Sequence, residues 1–145
     1  MSMQIRPLDK SDFHKHFMDV INCFTRTPTD VTYEQFCNAY DEVVASNSHV
    51  FVALSGETIT GTIKVMIEKK FHNNLKSVAH IEDVVVAPSC RGSGVARALV
   101  DFALRFIQDN FNCYKVILSC NDGLVDFYKK FSFVEKGKGM SIYYV

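Results

Sequence analysis

A strand, a glycine-rich turn and a long amphipathic helix follow one another directly between residues 78 and 110. Residues 78–86 form an apolar, valine-rich strand, which ends before Pro88 because proline lacks the amide that a sheet ladder needs. Residues 92–110 place apolar side chains on one broad face at helical spacing. A strand that leads into a helix through so short a turn predicts a mixed α/β domain, with the helix packed on the sheet.

The other elements predicted from periodicity and turn residues agree with a single domain of this class. They are a strand at 4–7, a helix at 13–24 capped by Asp9 or Ser11, a helix begun by a capping box of Thr32 and Gln35, a hairpin of 49–54 and 58–67, a strand at 114–120, a helix at 124–131 and closing strands at 133–134 and 140–145. Phe13, Phe17 and Phe24 are expected in the core. With 145 residues and no repeat or linker, the chain is expected to be one domain, 1–145.

The balance of charges and the use of cysteine argue against several classes of protein. Lysine plus arginine and aspartate plus glutamate both number 16, so the basic excess of a general nucleic-acid binder is missing. No apolar run of about 18 residues is present and the first residues lack an apolar signal core, so we expect neither a membrane span nor a signal peptide. Five cysteines without a CxxC pair, and no HExxH motif, favour small buried thiols, no metal and a reducing, cytoplasmic setting.

Residues 90–97, C-R-G-S-G-V-A-R, form the turn that opens the long predicted helix. A helix N-terminus offers unpaired amides and a positive dipole end, and glycines let a ligand approach the backbone. With Arg91 and Arg97 nearby, these features predict an anion site that suits a diphosphate. The chain lacks the P-loop motif, and G-S-G-V-A-R lacks the last glycine of a dinucleotide fingerprint. An ordinary tight turn is the alternative.

Two adjacent carboxylates, Glu82 and Asp83, interrupt the apolar strand at 78–86. Successive strand residues point to opposite faces, so both carboxylates cannot reach the same solvated face of a regular strand. A buried carboxylate needs a partner, because burying an unpaired charge is costly. The alternative is a surface bulge that leaves the charges in water.

The segment R-G-S-G-V-A, at 91–96, matches the pattern Arg/Gln-x-x-Gly-x-Gly/Ala and resembles the acetyl-CoA loop of the GNAT (GCN5-related) N-acetyltransferases. The order of predicted elements is similar across essentially the whole chain, and F-Y-K-K-F-S-F at 127–133 resembles the family's F-Y-x-x-x-G-F. Within that family the chain resembles the glucosamine-6-phosphate N-acetyltransferases, through H-I-E-D-V-V-V at 80–86, K-F-H-N at 70–73, C-F-T at 23–25 and C-Y-K-V-I-L-S-C at 113–120.

The resemblance implies the GNAT fold, a mixed, mostly antiparallel central sheet that is splayed at the acetyl-CoA site and flanked by helices. It also implies that strand backbone binds the pantetheine arm of acetyl-CoA and that the glycine turn holds the pyrophosphate. The residues that it assigns to acetyl-CoA are Val84, Val85, Val86, Arg91, Gly92, Ser93, Gly94, Val95, Ala96, Arg97, Phe127, Tyr128 and Lys130. Tyr128 would steady or protonate the departing thiolate; without the motif, a half-buried core tyrosine is the favoured interpretation.

For the acceptor, the resemblance implies an amino-sugar phosphate bound in a site that the two subunits of a homodimer share. The residues implied to line that site are Thr25, Lys70, Phe71, His72, Asn73, Glu82, Asp83, Tyr114 and Lys115. Among them, Tyr114 and Lys115 would serve the partner's pocket. The side chains suited to the sugar phosphate are Lys70, His72, Lys115 and Arg26.

Acetyl transfer to nitrogen requires a neutral amine, since an ammonium has no lone pair. Glu82 is the candidate base, directly or through water, and Asp83 is suited to the ammonium or the sugar hydroxyls. The subfamily that this chain resembles usually carries an aspartate at the position of Ser119. Leu124 aligns with its usual asparagine, and Tyr143 aligns with an arginine found in some members. The catalytic candidates are thus Glu82 and Tyr128.

These inferences predict a cytoplasmic, acetyl-CoA-dependent enzyme that acetylates D-glucosamine 6-phosphate for UDP-N-acetylglucosamine biosynthesis. One alternative is a GNAT enzyme that acts on another small amine or on a protein amine. Another is a non-catalytic acetyl-CoA-binding module. This alternative stays open because Ser119 stands where the resembled subfamily has a carboxylate.

Overall fold

A five-stranded sheet with helices on both faces organises the chain. The computed structural model describes residues 2–25 and 28–144. Within those residues the strands and helices are β1 Met3–Pro7, α1 Phe17–Asn22, α2 Tyr33–Ala45, β2 Ser48–Ser55, β3 Thr58–Lys69, β4 Ser77–Val86, α3 Val95–Asn110, β5 Cys113–Ile117 and α4 Val125–Lys129. Short 3-10 turns at Lys10–Lys15, Pro88–Cys90 and Asp122–Leu124 precede α1, α3 and α4. The predicted α/β class is confirmed.

The strands lie in the order in which they occur along the chain, β1-β2-β3-β4-β5. The pairs β1–β2, β2–β3 and β3–β4 are antiparallel, whereas β4 and β5 are parallel. A parallel pair needs a crossover connection, and α3 supplies it. The expected mixed, mostly antiparallel sheet is therefore confirmed.

Each face of the sheet buries its own apolar core. On one face, α3 and Tyr128 of α4 pack against a cluster that includes Phe51, Ile63, Val65, Ile81, Leu99 and Val100. On the other face, α1 and α2 pack against a cluster that includes Leu8, Phe17, Val20, Phe36, Val52 and Leu54. The helices thus fix the sheet from both sides, and the site lies along its β4–β5 end.

The first predicted helix is broken in two. Lys10–Lys15 forms a 3-10 turn capped by Asp9, and His16, with a φ of 66°, separates that turn from α1. The prediction of Phe24 in the core is wrong, because α1 ends at Asn22 and the side chain beyond it is 60% exposed. The second helix is confirmed, including the reciprocal capping box of Thr32 and Gln35.

A buried carboxylate, Asp12, holds the first helical turn against the end of β1. Asp12 is fully buried, and its two oxygens accept hydrogen bonds of 2.8 Å from the guanidinium of Arg6. The amide of Asp9 donates a further bond of 2.8 Å to Asp12 Oδ2. Burial alone would raise the pKa of Asp12, but the hydrogen bonds from Arg6 and Asp9 outweigh it and hold that pKa below its ordinary value.

Replacing Asp12 by asparagine is expected to lower the free energy of unfolding by about 3 kcal/mol at neutral pH, because breaking a buried pair leaves its partner uncompensated. Since the pKa of Asp12 is lower in the folded chain, its contribution is complete above the unfolded carboxyl pKa of about 3.9 and is lost as the pH falls through the folded pKa. Urea denaturation of both proteins between about pH 2 and 7 measures this difference.

The matched control for that prediction is Asp41→Asn, which removes an exposed ion pair with Lys10 of 2.9 Å. An exposed pair of this kind contributes about 0–1 kcal/mol, so the control should stay close to the original protein. Equal stabilities of the Asp12→Asn and Asp41→Asn variants would contradict the assigned role of Asp12.

The two closing strands predicted near the C-terminus are wrong for the residues that the structure describes. Residues 133–144 contain no strand, and Met140, Ile142, Tyr143 and Tyr144 are exposed. Their apolar composition is typical of strands, but pairing also requires a free sheet edge that the segment can reach. Residue 145 of the predicted strand lies outside the described part of the chain.

The cysteines also differ from the expectation of small buried thiols. All five are unpaired, and Cys23 and Cys120 are exposed while the other three are partly buried. No helix between residues 2 and 25 or between 28 and 144 is both long and apolar enough to cross a membrane.

Candidate active site

The sheet opens between β4 and β5. Their parallel pairing ends at His80 and Ile117, although β4 continues to Val86. Over the described residues, the far edge of β4 beyond His80 therefore has no strand beside it. Backbone groups at such an edge remain available to a ligand that lies alongside as an additional strand.

A β-bulge at Asp83 lies at the opening. Glu82 pairs with Lys64 and Val85 pairs with Thr62, so three steps along β4 match two along β3. Asp83 occupies the extra position with a φ of 52°, in the left-handed region that aspartate tolerates better than most residues.

The bulge explains the two adjacent carboxylates of the strand. Before it, His80 and Glu82 face the α1 side while Ile81 joins the core under α3; after it, Val85 joins the core under α1. The side chain of Glu82 is 43% exposed, and Asp83 is exposed at the bulge. A bulge of the kind that we considered for this pair is therefore present, and it places both carboxylates at the splay.

The glycine turn leads from this opening into α3. Gly92 and Gly94 have φ values of 80° and 86°, which favour glycine because other residues are strained there. The first helical hydrogen bond in α3 runs from the Ala98 amide to the Gly94 carbonyl at 3.0 Å, so earlier amides of the turn have no helical acceptor. Arg91 and Arg97 are exposed on either side. The turn can therefore bind an anion through backbone amides and two guanidinium groups.

Tyr128 comes from α4 and lies in the core on the α3 face of the sheet. Its side chain is 7% exposed and packs against the rings of Phe127 and Phe133, with centroids 4.9 and 5.9 Å away. Burial, and then the neighbouring Cys120 thiol, raise the pKa of Tyr128 above its ordinary value. The phenol therefore keeps its proton at neutral pH and can donate it to a developing anion.

A second group of predicted residues gathers at the opposite end of β4. The His72 ring lies 5.9 Å from that of Tyr114, and Lys115 Nζ lies 5.6 Å from the Tyr114 ring. Asn73 Nδ2 donates to His72 Nδ1 at 2.8 Å. Because Lys115 pairs with Val78, this group lies about 13 Å along the strand from Glu82, at about 3.3 Å per residue.

Of the remaining predicted residues that the structure describes, Lys70 and Phe127 are partly buried and the others named here lie at the surface. Phe71 is 98% exposed in the loop between β3 and β4, and Lys70 forms a 2.9 Å ion pair with Glu68. Thr25 is exposed beyond α1, and Arg26 lies outside the described residues. Lys130 is exposed at the end of α4, and Phe127 packs on Phe131 with centroids 5.4 Å apart.

The sequence motifs assign no role to His80 or Glu68 individually. Glu82, His80, Glu68 and Lys70 form a continuous row on the α1 side of the sheet, called the polar row below. His80 and Glu68 stand 12 residues apart in the chain, so only the β3–β4 pairing reveals their contact.

In residues 2–25 and 28–144, no three His, Cys, Asp or Glu side chains are grouped so as to hold a metal ion.

Comparison with known proteins identifies the family. Residues 11–133 match the acetyltransferase (GNAT) family. This chain belongs to the GNAT acetyltransferase family. The GNAT chain is 36% identical to glucosamine 6-phosphate N-acetyltransferase of Arabidopsis thaliana, with 99% of this chain and 97% of that protein covered. It is 32% identical to glucosamine 6-phosphate N-acetyltransferase 1 of Oryza sativa subsp. japonica, with 97% of this chain and 87% of that protein covered.

The fold comparison agrees with the sequence comparison. The crystal structure of glucosamine-6-phosphate N-acetyltransferase from Arabidopsis thaliana superposes on the GNAT chain with a TM-score of 0.93 at 34% identity, covering 100% of both chains. The family and the fold expected from the sequence motifs are therefore confirmed.

Proposed function

We propose that this GNAT chain transfers an acetyl group from acetyl-CoA to the amine of D-glucosamine 6-phosphate, giving N-acetyl-D-glucosamine 6-phosphate and coenzyme A. The observation that carries the proposal is the opening at the bulge, which lies between a partly exposed carboxylate and a helix-opening glycine turn. The relatives at 32% and 36% identity, both glucosamine 6-phosphate N-acetyltransferases by name, support this acceptor.

The donor would lie along the open edge of β4. The backbone at Val84, Val85 and Val86 supports binding of the pantetheine arm, because that edge has no strand beside it in the described chain. The amides of the turn from Gly92 to Ala96, with Arg91 and Arg97 nearby, would hold the pyrophosphate. When bound, acetyl-CoA supplies the activated acetyl group.

Glu82 and Tyr128 would carry out two of the proton transfers of the reaction. Glu82 would take a proton from the acceptor ammonium, so that the neutral amine can attack the thioester carbonyl. Tyr128, protonated because burial raises its pKa, would donate to the departing thiolate. The second proton, which the acceptor nitrogen loses as the amide forms, would pass through water to restore the Tyr128 phenol. Asp83, exposed at the bulge beside Glu82, is suited to the sugar hydroxyls or the ammonium.

The phosphate end of the acceptor would be bound by a homodimer. Lys115 pairs with Val78, about 13 Å along the strand from Glu82, and this separation supports service of Tyr114 and Lys115 to a partner's site. The exposed apolar segment at 140–144 supports an interface, because such segments are seldom left in water. A purely monomeric protein in sedimentation equilibrium at micromolar concentration would contradict the dimer.

The test measures thiol release from acetyl-CoA with a panel of amines. Glucosamine 6-phosphate should exceed glucosamine, spermidine, an aminoglycoside and a peptide amine in kcat/KM by about 10²-fold, since a site built around the phosphate is left with unpaired charges by the others. Equal turnover of another amine would favour the alternative acceptors. Tight binding of acetyl-CoA without thiol release from any amine would identify a non-catalytic module.

We place this activity in the cytoplasm, at the step that supplies UDP-N-acetylglucosamine biosynthesis. The five unpaired cysteines support a reducing compartment. Localisation of the tagged full chain in its own cells tests the placement, and accumulation in a secretory compartment would contradict it.

A further inference from the structure

The polar row connects the candidate base to an exposed ion pair. His80 Nε2 lies 2.9 Å from Glu68 Oε1, and the other oxygen of Glu68 lies 2.9 Å from Lys70 Nζ. On its opposite side, the His80 ring presents Nδ1 to Glu82 Oε1 at 3.9 Å. The imidazole therefore stands between two carboxylates, one at the splay and one at the surface.

The ion pair determines which nitrogen of His80 carries the proton. Hydrogen bonds from His80 and then Lys70 hold the pKa of Glu68 below its ordinary value, so this carboxylate is ionised at neutral pH and only accepts. Nε2 of His80 must therefore be the donor, and Nδ1 of the neutral ring carries the lone pair. That lone pair faces an oxygen of Glu82, and repulsion between two acceptors is consistent with a separation of 3.9 Å.

We propose that His80 is a positioning residue of the proposed reaction, which acts through Glu82 and takes over the proton that Glu82 removes from the acceptor amine. The inference rests on the proposed function. In the first step the ammonium becomes an amine and the Glu82 carboxylate becomes a carboxylic acid. In the second, the Glu82 O–H bond breaks and a His80 Nδ1–H bond forms, which leaves an imidazolium between two carboxylates. Release of one imidazolium proton to water restores the starting state.

Charged groups reach the face of His80 from three elements. The charged groups on elements packed against its face are Glu68, Lys64 and Lys70 on or next to β3, Lys115 on β5 and Asp19 on α1. Asp19 is paired with His16 Nδ1 at 3.0 Å, and Lys70 is paired with Glu68. Within the described residues, neither Lys64 nor Lys115 forms an ion pair with Glu82 or Glu68. The ionic contacts that His80 makes in the part of the chain that the structure describes are therefore with the two carboxylates Glu68 and Glu82.

The test compares His80→Gln with the original chain. The glutamine amide can still donate to Glu68 from the position of Nε2, but it cannot take up a proton. We expect kcat for glucosamine 6-phosphate to fall by about 10–100-fold, less than the 10²–10⁴ of a group that contacts the substrate, with both KM values within about twofold. The pH profile of kcat should lose one ionisation on its acid side, and added imidazole should restore activity to His80→Ala.

Nitrogen NMR of His80 gives a readout that needs no turnover. The neutral ring should carry its proton on Nε2, and Glu68→Gln should increase the Nδ1–H tautomer. His14→Gln, an exposed histidine of the first helical turn, is the matched control and should leave kcat and the pH profile unchanged.

The outcomes separate the two proposals. No turnover of glucosamine 6-phosphate by the original chain overturns the proposed function, and the relay with it. Turnover that survives His80→Gln with an unchanged pH profile overturns only the role of His80. A neutral His80 with its proton on Nδ1 also overturns that role, whatever the kinetics.

Discussion

Replacing Glu82 by glutamine is expected to lower kcat for glucosamine 6-phosphate by about 10²–10⁴-fold, the range for loss of a general base. Glutamine keeps the size of the side chain but cannot take a proton from the ammonium. Ser119 is exposed and offers no carboxylate in place of Glu82. Steady-state kinetics at saturating acetyl-CoA measures the effect, and the KM for the sugar phosphate should stay near its original value.

The adjacent carboxylate provides the matched control. Asp83→Asn preserves the bulge, because asparagine tolerates the φ of 52° as well as aspartate does. This variant should raise the KM for glucosamine 6-phosphate and leave kcat within a few-fold. The reverse pattern, with kcat lost in Asp83→Asn and kept in Glu82→Gln, would transfer the role of base to Asp83.

The second large effect is expected from Tyr128→Phe, which should lower kcat by about a hundredfold while the Kd of acetyl-CoA changes little. Phenylalanine keeps the ring contacts with Phe127 and Phe133, so the variant loses the hydroxyl and little packing. Because burial raises the pKa of Tyr128, the phenol of the original chain should remain protonated up to about pH 10, and kcat should show no loss from this group below that pH.

Tyr40→Phe is the control for the loss of a tyrosine hydroxyl. Tyr40 Oη donates to the Leu8 carbonyl at 3.2 Å, on the far side of the sheet from α4. Its replacement should lower stability slightly and leave kcat unchanged. A Tyr128→Phe variant with normal kcat and much weaker binding of acetyl-CoA would make Tyr128 a binding residue instead.

The features that the sequence predicted correctly are encoded by residues close together in the chain. The glycine turn follows from Gly92 and Gly94, whose positive φ values and position before α3 need no distant partner. The capping box of Thr32 and Gln35 is local in the same way. Family motifs extended these local signals to the order of elements, which the structure confirms as far as α4 but not for the closing strands.

The features that sequence did not predict depend on contacts between distant segments. The His80–Glu68 bond forms because β3 and β4 pair in one particular register, and neither residue has a motif that announces the bond. The segment at 140–144 has the composition of a strand, but composition does not say whether a sheet edge is within reach. The break of the first helix is an exception, because it follows from the left-handed φ of 66° at His16, which the apolar periodicity does not reveal.

The bulge at Asp83 changes the parity of β4. Up to Glu82, even-numbered residues face α1, and from Val85 onward odd-numbered residues do. A strand without the extra residue could direct Glu82 toward the acceptor or bury Val85 under α1, but it could not do both. Deleting Asp83 would therefore exchange the side chains that face α1 with those that face α3 in one half of the strand. No substitution at that position can do this. A single inserted residue thus lets one strand present Glu82 to the acceptor and still bury Val85 under α1.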